Sequence, residues 1–286
     1  MRCFIPHCIT VLIADMRWLK IAHYMWMVLL GVALGIHLYP ESLTYYYELA
    51  LPLLCFGISL VFAALFAIIH NNIADVAIDA VNHPHRPLQK QAIALNHYLG
   101  ISYVAFIISL AFACACSHTT TYAILIVMAL YHGYSTPPLR LKRFLFISKA
   151  ILAVNTYILF LAGFLLVQPN LALFPAIITP FFLLGVTLSA SLIDLNDVKG
   201  DWQGNIKTLP LVLGQRNCKL LIGLSLMLTY TFTFFFLSKT APCLWLTLAG
   251  LCIVQIALVT TRTFHEVPFF ITHLLTLTCL ISIMLT

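Results

Sequence analysis

The chain has 286 residues, 62% of them apolar and only 8% charged, and its mean hydropathy is +1.01. Soluble domains carry about 25% charged residues, so this composition excludes an ordinary globular fold. The net charge of +6 does not indicate nucleic-acid binding, because the basic residues fall in short segments between apolar stretches. The nine cysteines match no zinc or redox spacing and are expected to be buried free thiols.

Apolar stretches of about 20 residues recur from end to end and predict a polytopic membrane protein. The expected fold class is therefore all-α, with a single transmembrane domain over residues 1–286. No cleavage site with small residues follows the first apolar run, so no removable signal peptide is expected. Nine transmembrane helices are predicted, at residues 18–39, 45–70, 92–115, 120–135, 147–168, 171–193, 218–237, 241–261 and 267–286.

The basic residues predict the orientation of these helices. If nine spans alternate from a cytoplasmic N-terminus, every Lys and Arg except Lys239 falls on the cytoplasmic side. Short cytoplasmic loops are enriched in Lys and Arg, so this asymmetry supports both the orientation and the count of nine. The expected location is the bacterial inner membrane or an equivalent membrane, with the N-terminus and the chemistry on the cytoplasmic face.

The first group of polar residues at the end of a span is Asn71, Asp75 and Asp79. Their spacing of i, i+4 and i+8 places the three side chains near one helical face. Carboxylates together with phosphate oxygens are the ligands that Mg²⁺ prefers, and a cation offsets the repulsion between neighbouring acids. The alternative is a solvated helix end whose acids face the cytosol.

A second group, Asp194, Asp197 and Asp201, closes a later span at a spacing of i, i+3 and i+7. The two groups hold five of the nine acidic residues and, in the predicted topology, lie on the same side of the membrane. We therefore expect both to be halves of one metal site. Paired acids bridged by Mg²⁺ can hold a diphosphate and stabilise it as it leaves.

Basic residues near the two acidic groups are candidates for binding phosphate oxygens. Orientation and contact with lipid headgroups are the alternative for any basic residue in such a loop, and for Arg143 and Lys149 both interpretations stay open. The histidines within the spans are assigned to packing. The expected substrate-binding residues are Arg86, Arg140, Lys142 and Lys199, with Tyr134 at the start of the loop that holds two of them.

At these residues the chain resembles the UbiA superfamily of intramembrane prenyltransferases. Asn71-x-x-x-Asp75-x-x-x-Asp79, with Asn82 and Arg86-Pro87 after it, is similar to the first signature of that family. Asp194-x-x-Asp197-x-x-x-Asp201 is similar to the second, and the segment from Tyr134 to Lys142 resembles the loop between the fourth and fifth helices. Position 72 is Asn where many members carry Asp, which removes one charge from the first group.

The resemblance implies nine helices around a central cavity that opens to lipid. It also implies transfer of a prenyl group from a polyprenyl diphosphate to a lipophilic, aromatic acceptor, as in the biosynthesis of quinones or related lipids. Membrane lipids surround such an enzyme, and no obligate protein partner is expected. The hypothesis assigns Mg²⁺ to Asn71, Asp75, Asp79, Asp194, Asp197 and Asp201, with Asp75, Asp194 and Asp201 also catalytic, and gives the acceptor proton to Asp194.

A cation-coupled secondary transporter is the alternative from another class, because intramembrane carboxylates also bind and release transported ions. The acids lie at span ends on one side, and none is placed to complete a path to the other face. Release of diphosphate from a prenyl diphosphate when an acceptor is added distinguishes the two functions.

Overall fold

The computed structural model of the chain describes residues 4–42, 46–237 and 242–286. Within these ranges the chain is nearly all helical and contains no β-strand. Arg2 and Lys239, which enter the orientation argument, lie outside the described residues. The α-helices are Phe4–Asp15 (α1), Trp18–Leu38 (α2), Ala50–Ala74 (α3), Val76–Asn82 (α4), Leu95–Cys116 (α5), His118–Ser135 (α6), Leu145–Val167 (α7), Ile178–Ser189 (α8), Val198–Gln203 (α9), Leu209–Leu237 (α10), Pro242–Thr260 (α11) and Glu266–Leu285 (α12).

Eight helices in the described ranges are long and apolar enough to cross a membrane. The predicted count of nine is therefore not confirmed. The remaining candidate, predicted at 120–135, corresponds to α6, which has 18 residues and begins with a histidine and three threonines. At 1.5 Å per residue α6 is about 27 Å long, slightly less than a typical hydrocarbon core of about 30 Å.

The helices differ from the prediction in three places. Helix α1 precedes the first span and was not predicted, while the span predicted at 171–193 begins only at Ile178. Helix α10 begins at Leu209 rather than at 218, and it is interrupted at Gly214, whose φ is +77°. Glycine adopts this left-handed conformation without a steric penalty, so the chain bends there before it enters the apolar part of α10.

The cysteines also depart partly from expectation. All seven whose side chains are described are free, but Cys114 and Cys243 are exposed whereas Cys55, Cys218 and Cys279 are buried. The surface of a membrane protein faces lipid tails, which are as apolar as the protein interior. An apolar segment therefore does not require burial within the protein, and composition does not separate the two environments.

Helices α2 and α7 cross closely because glycines lie at their contact. A Cβ atom built on Gly31 would lie 1.9 Å from the Phe160 carbonyl oxygen, and one on Gly163 would lie 2.1 Å from that of Val28. Small residues allow this approach, and dispersion contacts between close helices stabilise membrane bundles. Helix α2 also packs on α12 and α3, and α7 also packs on α6 and α8. Helix α8 then contacts α10, α10 contacts α11, and α11 contacts α12. These helices surround a cavity.

Candidate active site

A cavity of about 410 Å³ lies among the helices and receives both acidic groups. Its charged lining residues come from helix ends on one side of the bundle, such as the end of α3, the start of α7 and helix α9. Residues from the middle of helices form its apolar walls, among them Leu30, Leu60, Val127 and Leu159. All six predicted metal ligands line this cavity: Asn71, Asp75, Asp79, Asp194, Asp197 and Asp201.

The first acidic group keeps its helical spacing across a bend. Helix α3 ends at Ala74, and Asp75 is the junction residue before α4. The backbone hydrogen bonds continue, with the Asp75 amide donating to Asn71 O at 3.0 Å and the Asp79 amide donating to Asp75 O at 2.8 Å. The predicted i, i+4 and i+8 arrangement therefore holds, and the three side chains share one wall.

The second acidic group lies on a 3₁₀ segment and a short α-helix, rather than on one continuous helix. Asp194 lies in a 3₁₀ segment, Ala190–Leu195, while Asp197 caps α9 and Asp201 lies within it. The Asp197 amide donates to Asp194 O at 3.2 Å, and the Asp201 amide donates to Asp197 O at 3.0 Å. A 3₁₀ helix has three residues per turn, so the side chains of Asp194 and Asp197 point in similar directions.

Hydrogen bonds of Asn82 join the segments that carry the two acidic groups. Asn82 Nδ2 donates to the carbonyl oxygen of Asp197 at 3.2 Å, and the Gly200 amide donates to Asn82 Oδ1 at 3.1 Å. A Cβ atom on Gly200 would lie 2.2 Å from Asn82 Nδ2, so a side chain there is incompatible with this position of the Asn82 side chain. Asn82 was part of the sequence pattern but had no assigned role; the structure shows that it couples the two halves.

Three of the four predicted substrate-binding cations contact the first acidic group. Lys142 forms an ion pair with Asp75, and Arg140 Nη2 lies 3.4 Å from the same carboxylate. Arg86 forms an ion pair with Asp79. Tyr134 lines the cavity, as do Arg86 and Lys142. The acids and these basic residues therefore belong to one electrostatic unit.

The fourth predicted cation is placed differently, and two partners were missed. Lys199 is exposed and is not among the residues that line the cavity. Lys149, left open between two interpretations, is only 4% exposed, lines the cavity and places Nζ 2.6 Å from the carboxylate of Asp194. His83 Nε2 lies 3.3 Å from Asp197 Oδ1. Neither contact could be predicted from local spacing, because each joins residues that are far apart in the sequence.

Burial shifts the pKa values of acids outside the membrane-spanning segments. Burial, followed by the nearby Asp194 and Asp197 charges, raises the pKa of Asp201 to about 7. Burial also raises the pKa of Asp79, although Arg86 opposes the shift. Burial would raise the pKa of Asp197 too, but the hydrogen bond and charge of His83, together with the charges of Lys20 and Arg86, outweigh it and leave the pKa below its usual value. Asp201 therefore has the least compensated carboxylate of the three.

The donor set fits Mg²⁺ by its chemistry. Carboxylate and amide oxygens from two directions face one cavity, and in the described part of the chain Asp201 has no ion pair to offset its neighbouring acids. No three His, Cys, Asp or Glu residues in that part are grouped closely enough to form a complete metal site. Lys or Arg residues contact three of the acids and His83 contacts a fourth, so a metal ion bound here would compete with these partners.

Two curated proteins are similar to this chain in sequence. Homogentisate phytyltransferase from Synechocystis sp. is 32% identical over 154 residues, which span 51% of this chain and 50% of the relative. Digeranylgeranylglyceryl phosphate synthase from Methanosphaera stadtmanae is 29% identical over 182 residues, 62% of each protein. The matches thus span about half to three fifths of the lengths of these relatives.

Solved structures share the fold. A UbiA homolog from Archaeoglobus fulgidus bound to DMAPP and Mg²⁺ superposes with a TM-score of 0.67 at 17% identity, covering 95% of this chain and 99% of that one. A UbiA homolog from Aeropyrum pernix K1 gives a TM-score of 0.70 at 14% identity, covering 93% and 97%. The model of the UbiA prenyltransferase family matches residues 24–267. The chain is an integral membrane protein and belongs to the UbiA prenyltransferase family.

Proposed function

We propose that the chain transfers a prenyl group from a polyprenyl diphosphate to a lipophilic aromatic acceptor in a reaction that requires Mg²⁺. The observation that carries this proposal is the division of the cavity, which has two acidic groups with their cations on one side and apolar walls elsewhere. A polyprenyl diphosphate has the same division between a charged head and an apolar tail. The family membership and the names of the relatives support the same class of reaction.

The charged side of the cavity is proposed to bind the diphosphate. Asn71, Asp75, Asp79, Asp194, Asp197 and Asp201 would hold Mg²⁺. When bound, Mg²⁺ supplies neutralisation of the diphosphate oxygens and so favours their departure. Arg86, Arg140 and Lys142 would move from the carboxylates to the phosphate oxygens, where charge-assisted hydrogen bonds fix the head of the substrate. Lys199 is left out of this assignment because it is exposed.

The apolar side is proposed to hold the prenyl chain and shield the reacting carbon. The bond between the allylic carbon and the diphosphate oxygen breaks, and both electrons leave with the diphosphate. Aromatic residues on the cavity wall, including Tyr24, Tyr131 and Tyr134, face the resulting positive charge and stabilise it by cation–π attraction. The acceptor atom bonds to that carbon and loses a proton, which we assign to the carboxylate of Asp194.

The orientation in the membrane is part of the same proposal. Arg17, Arg86, Lys142 and Lys149 all line the side of the cavity that holds the acids. Under the positive-inside rule this side faces the cytoplasm, together with the N-terminus. A diphosphate made in the cytoplasm would then reach the site directly while its tail stays in the bilayer.

The proposal is tested with purified protein, Mg²⁺ and a panel of acceptors crossed with prenyl diphosphates of several lengths, analysed by mass spectrometry. The expected result is a prenylated aromatic product and one diphosphate released per product. A product formed only from a glyceryl phosphate acceptor would keep prenyl transfer but overturn the aromatic assignment. No diphosphate release with any pair would contradict prenyl transfer itself.

A further inference from the structure

Two histidines separated by 250 residues in the sequence meet on the cavity wall. His23 Nδ1, on α2, lies 3.0 Å from His273 Nε2, on α12, and the ring centroids are 5.1 Å apart. Both side chains line the cavity that also receives the acidic groups. The sequence assigned both residues to packing, because no local spacing connects them.

The pair lies deeper in the bundle than the acids. At 1.5 Å per residue, His23 is about 8 Å along α2 from Trp18, and His273 is about 10 Å along α12 from Glu266. The ion pair between Lys20 and Glu266, at 2.9 Å, lies between the histidines and those helix ends. The histidines therefore form a second polar position on the cavity wall, separate from the proposed diphosphate site.

The hydrogen bonds of the pair are incomplete. An imidazole ring has two nitrogens, and in the neutral form one donates and the other accepts. His273 uses Nε2 for His23, whereas its Nδ1 is buried and has no hydrogen-bond partner in the described part of the chain. A buried polar atom without a partner reduces stability unless the ring rotates toward the cavity and a bound molecule supplies one. The ring of Phe269, almost parallel to that of His273, covers the neighbouring wall.

We propose that the His23–His273 pair binds a hydroxyl group of the acceptor, an assignment that rests on the proposed prenyl transfer. A hydroxyl group donates and accepts hydrogen bonds, and so it matches a pair of neutral imidazoles in either tautomer. Phenols and glyceryl ethers both carry such a group. Contact with the pair would place the acceptor on the apolar side of the diphosphate, next to the carbon that it attacks.

The experiment uses the purified full-length chain and two acceptor probes. Homogentisate represents phenols, geranylgeranylglyceryl phosphate represents glyceryl ethers, and each is compared with a form whose hydroxyl groups are methylated. His23→Phe and His273→Phe keep an aromatic ring and remove the hydrogen bonds. We expect the KM for the hydroxyl-bearing acceptor to rise at least about tenfold, with the KM for prenyl diphosphate unchanged. In the binding measurement described below, the preference for the free over the methylated acceptor should disappear.

A matched control separates binding from helix packing. His37 also joins α2 to α12, through Nδ1 at 2.8 Å from the Met284 carbonyl oxygen, but it is not among the residues that line the cavity. His37→Phe should leave the KM for the acceptor unchanged, and His273→Asn, which retains hydrogen-bonding atoms, should restore part of the affinity. Equal effects of His37→Phe and His273→Phe would overturn the assignment.

Acceptor binding is also measured directly, without Mg²⁺ and prenyl diphosphate. The test of the histidine pair then does not depend on the proposed prenyl transfer. The assignment predicts that the wild-type chain binds one free probe at least about tenfold more tightly than the methylated form of that probe. This difference should be lost in His273→Phe. The probe that shows this difference identifies the phenol or the glyceryl ether as the source. If neither probe does so, the assignment fails; if binding behaves as expected but no turnover occurs, prenyl transfer fails instead.

Discussion

The two acidic groups line one cavity but are neutralised in different ways. In the first group, Asp75 contacts Lys142 and Arg140, and Asp79 contacts Arg86. These three cations lie between the long helices rather than inside them. They can therefore move to phosphate oxygens with little change in the bundle.

The second group is neutralised from inside the bundle and less completely. Lys149, on the first turns of α7, contacts Asp194 and is fixed by helix packing. Asp201 has no ion pair among the described residues, and burial together with its acidic neighbours raises its pKa to about 7. Under the proposed function this difference would give the groups separate tasks: the first would exchange its cations with the substrate, and the second would present charge that a metal ion balances.

The largest effect is expected when either group loses an acid. Asp75→Ala and Asp201→Ala should each reduce product formation at least about 100-fold in the presence of Mg²⁺ and prenyl diphosphate, because both groups are needed to hold the leaving diphosphate. Mass spectrometry of the product in membranes or detergent measures this loss. Lys199→Ala, at an exposed position beside the second group, is the control and should retain activity. Retained activity in either Asp variant would refute the assignment.

A pair of lysine variants sharpens the contrast between exchangeable and fixed cations. Lys142→Ala should lower kcat/KM for prenyl diphosphate by about 10- to 100-fold, the value of one charge-assisted hydrogen bond. It should cost less stability than a change at Lys149, because Asp75 keeps its contact with Arg140. Lys149→Met should instead destabilise the folded protein by about 3 kcal/mol, because Asp194 is left buried without its partner.

Thermal unfolding in detergent and steady-state kinetics separate these outcomes. Adding Asp194→Asn to Lys149→Met should recover most of the lost stability, since no buried charge remains unpaired. Equal stability losses in the two single lysine variants would contradict the proposed difference between the groups.

A smaller effect is expected from separating the groups without changing any charge. Gly200→Ala places a methyl group 2.2 Å from Asn82 Nδ2, so either the Asn82 side chain gives up its hydrogen bonds to Asp197 and Gly200 or α9 moves away from α4. We expect the Mg²⁺ concentration for half-maximal activity to rise about tenfold, because a displacement of this size weakens ligands that must converge. Asn82→Ala combined with Gly200→Ala makes room for the methyl group and should restore part of the Mg²⁺ affinity. An unchanged Mg²⁺ requirement in Gly200→Ala would show that this contact does not position the groups.

The sequence predicted the part of the site that depends on local spacing. Asn71, Asp75 and Asp79 share a wall because backbone hydrogen bonds carry the helical register through the bend at Asp75. The sequence could not predict contacts that depend on how segments far apart in the chain pack against each other. The partners Lys149–Asp194 and His23–His273 belong to this class.

Asn72 shows how a pattern can mislead when packing is unknown. The sequence treated this residue as a charge missing from the first acidic group. The Asn72 side chain is instead buried and does not line the cavity. Its Nδ2 donates to Asp15 Oδ2 at 2.7 Å and to the Tyr98 hydroxyl at 3.0 Å. An aspartate there would face Asp15, so asparagine suits this chain because α1 supplies the acid.

The most direct measurement of the central claim is binding of an unreactive prenyl thiolodiphosphate to the purified chain, with and without Mg²⁺, by isothermal titration calorimetry. Wild-type protein is predicted to bind only with Mg²⁺, and Asp75→Asn and Asp201→Asn are each predicted to weaken that binding at least about tenfold. Wild-type affinity and Mg²⁺ dependence in either variant would contradict a single diphosphate site built from both acidic groups.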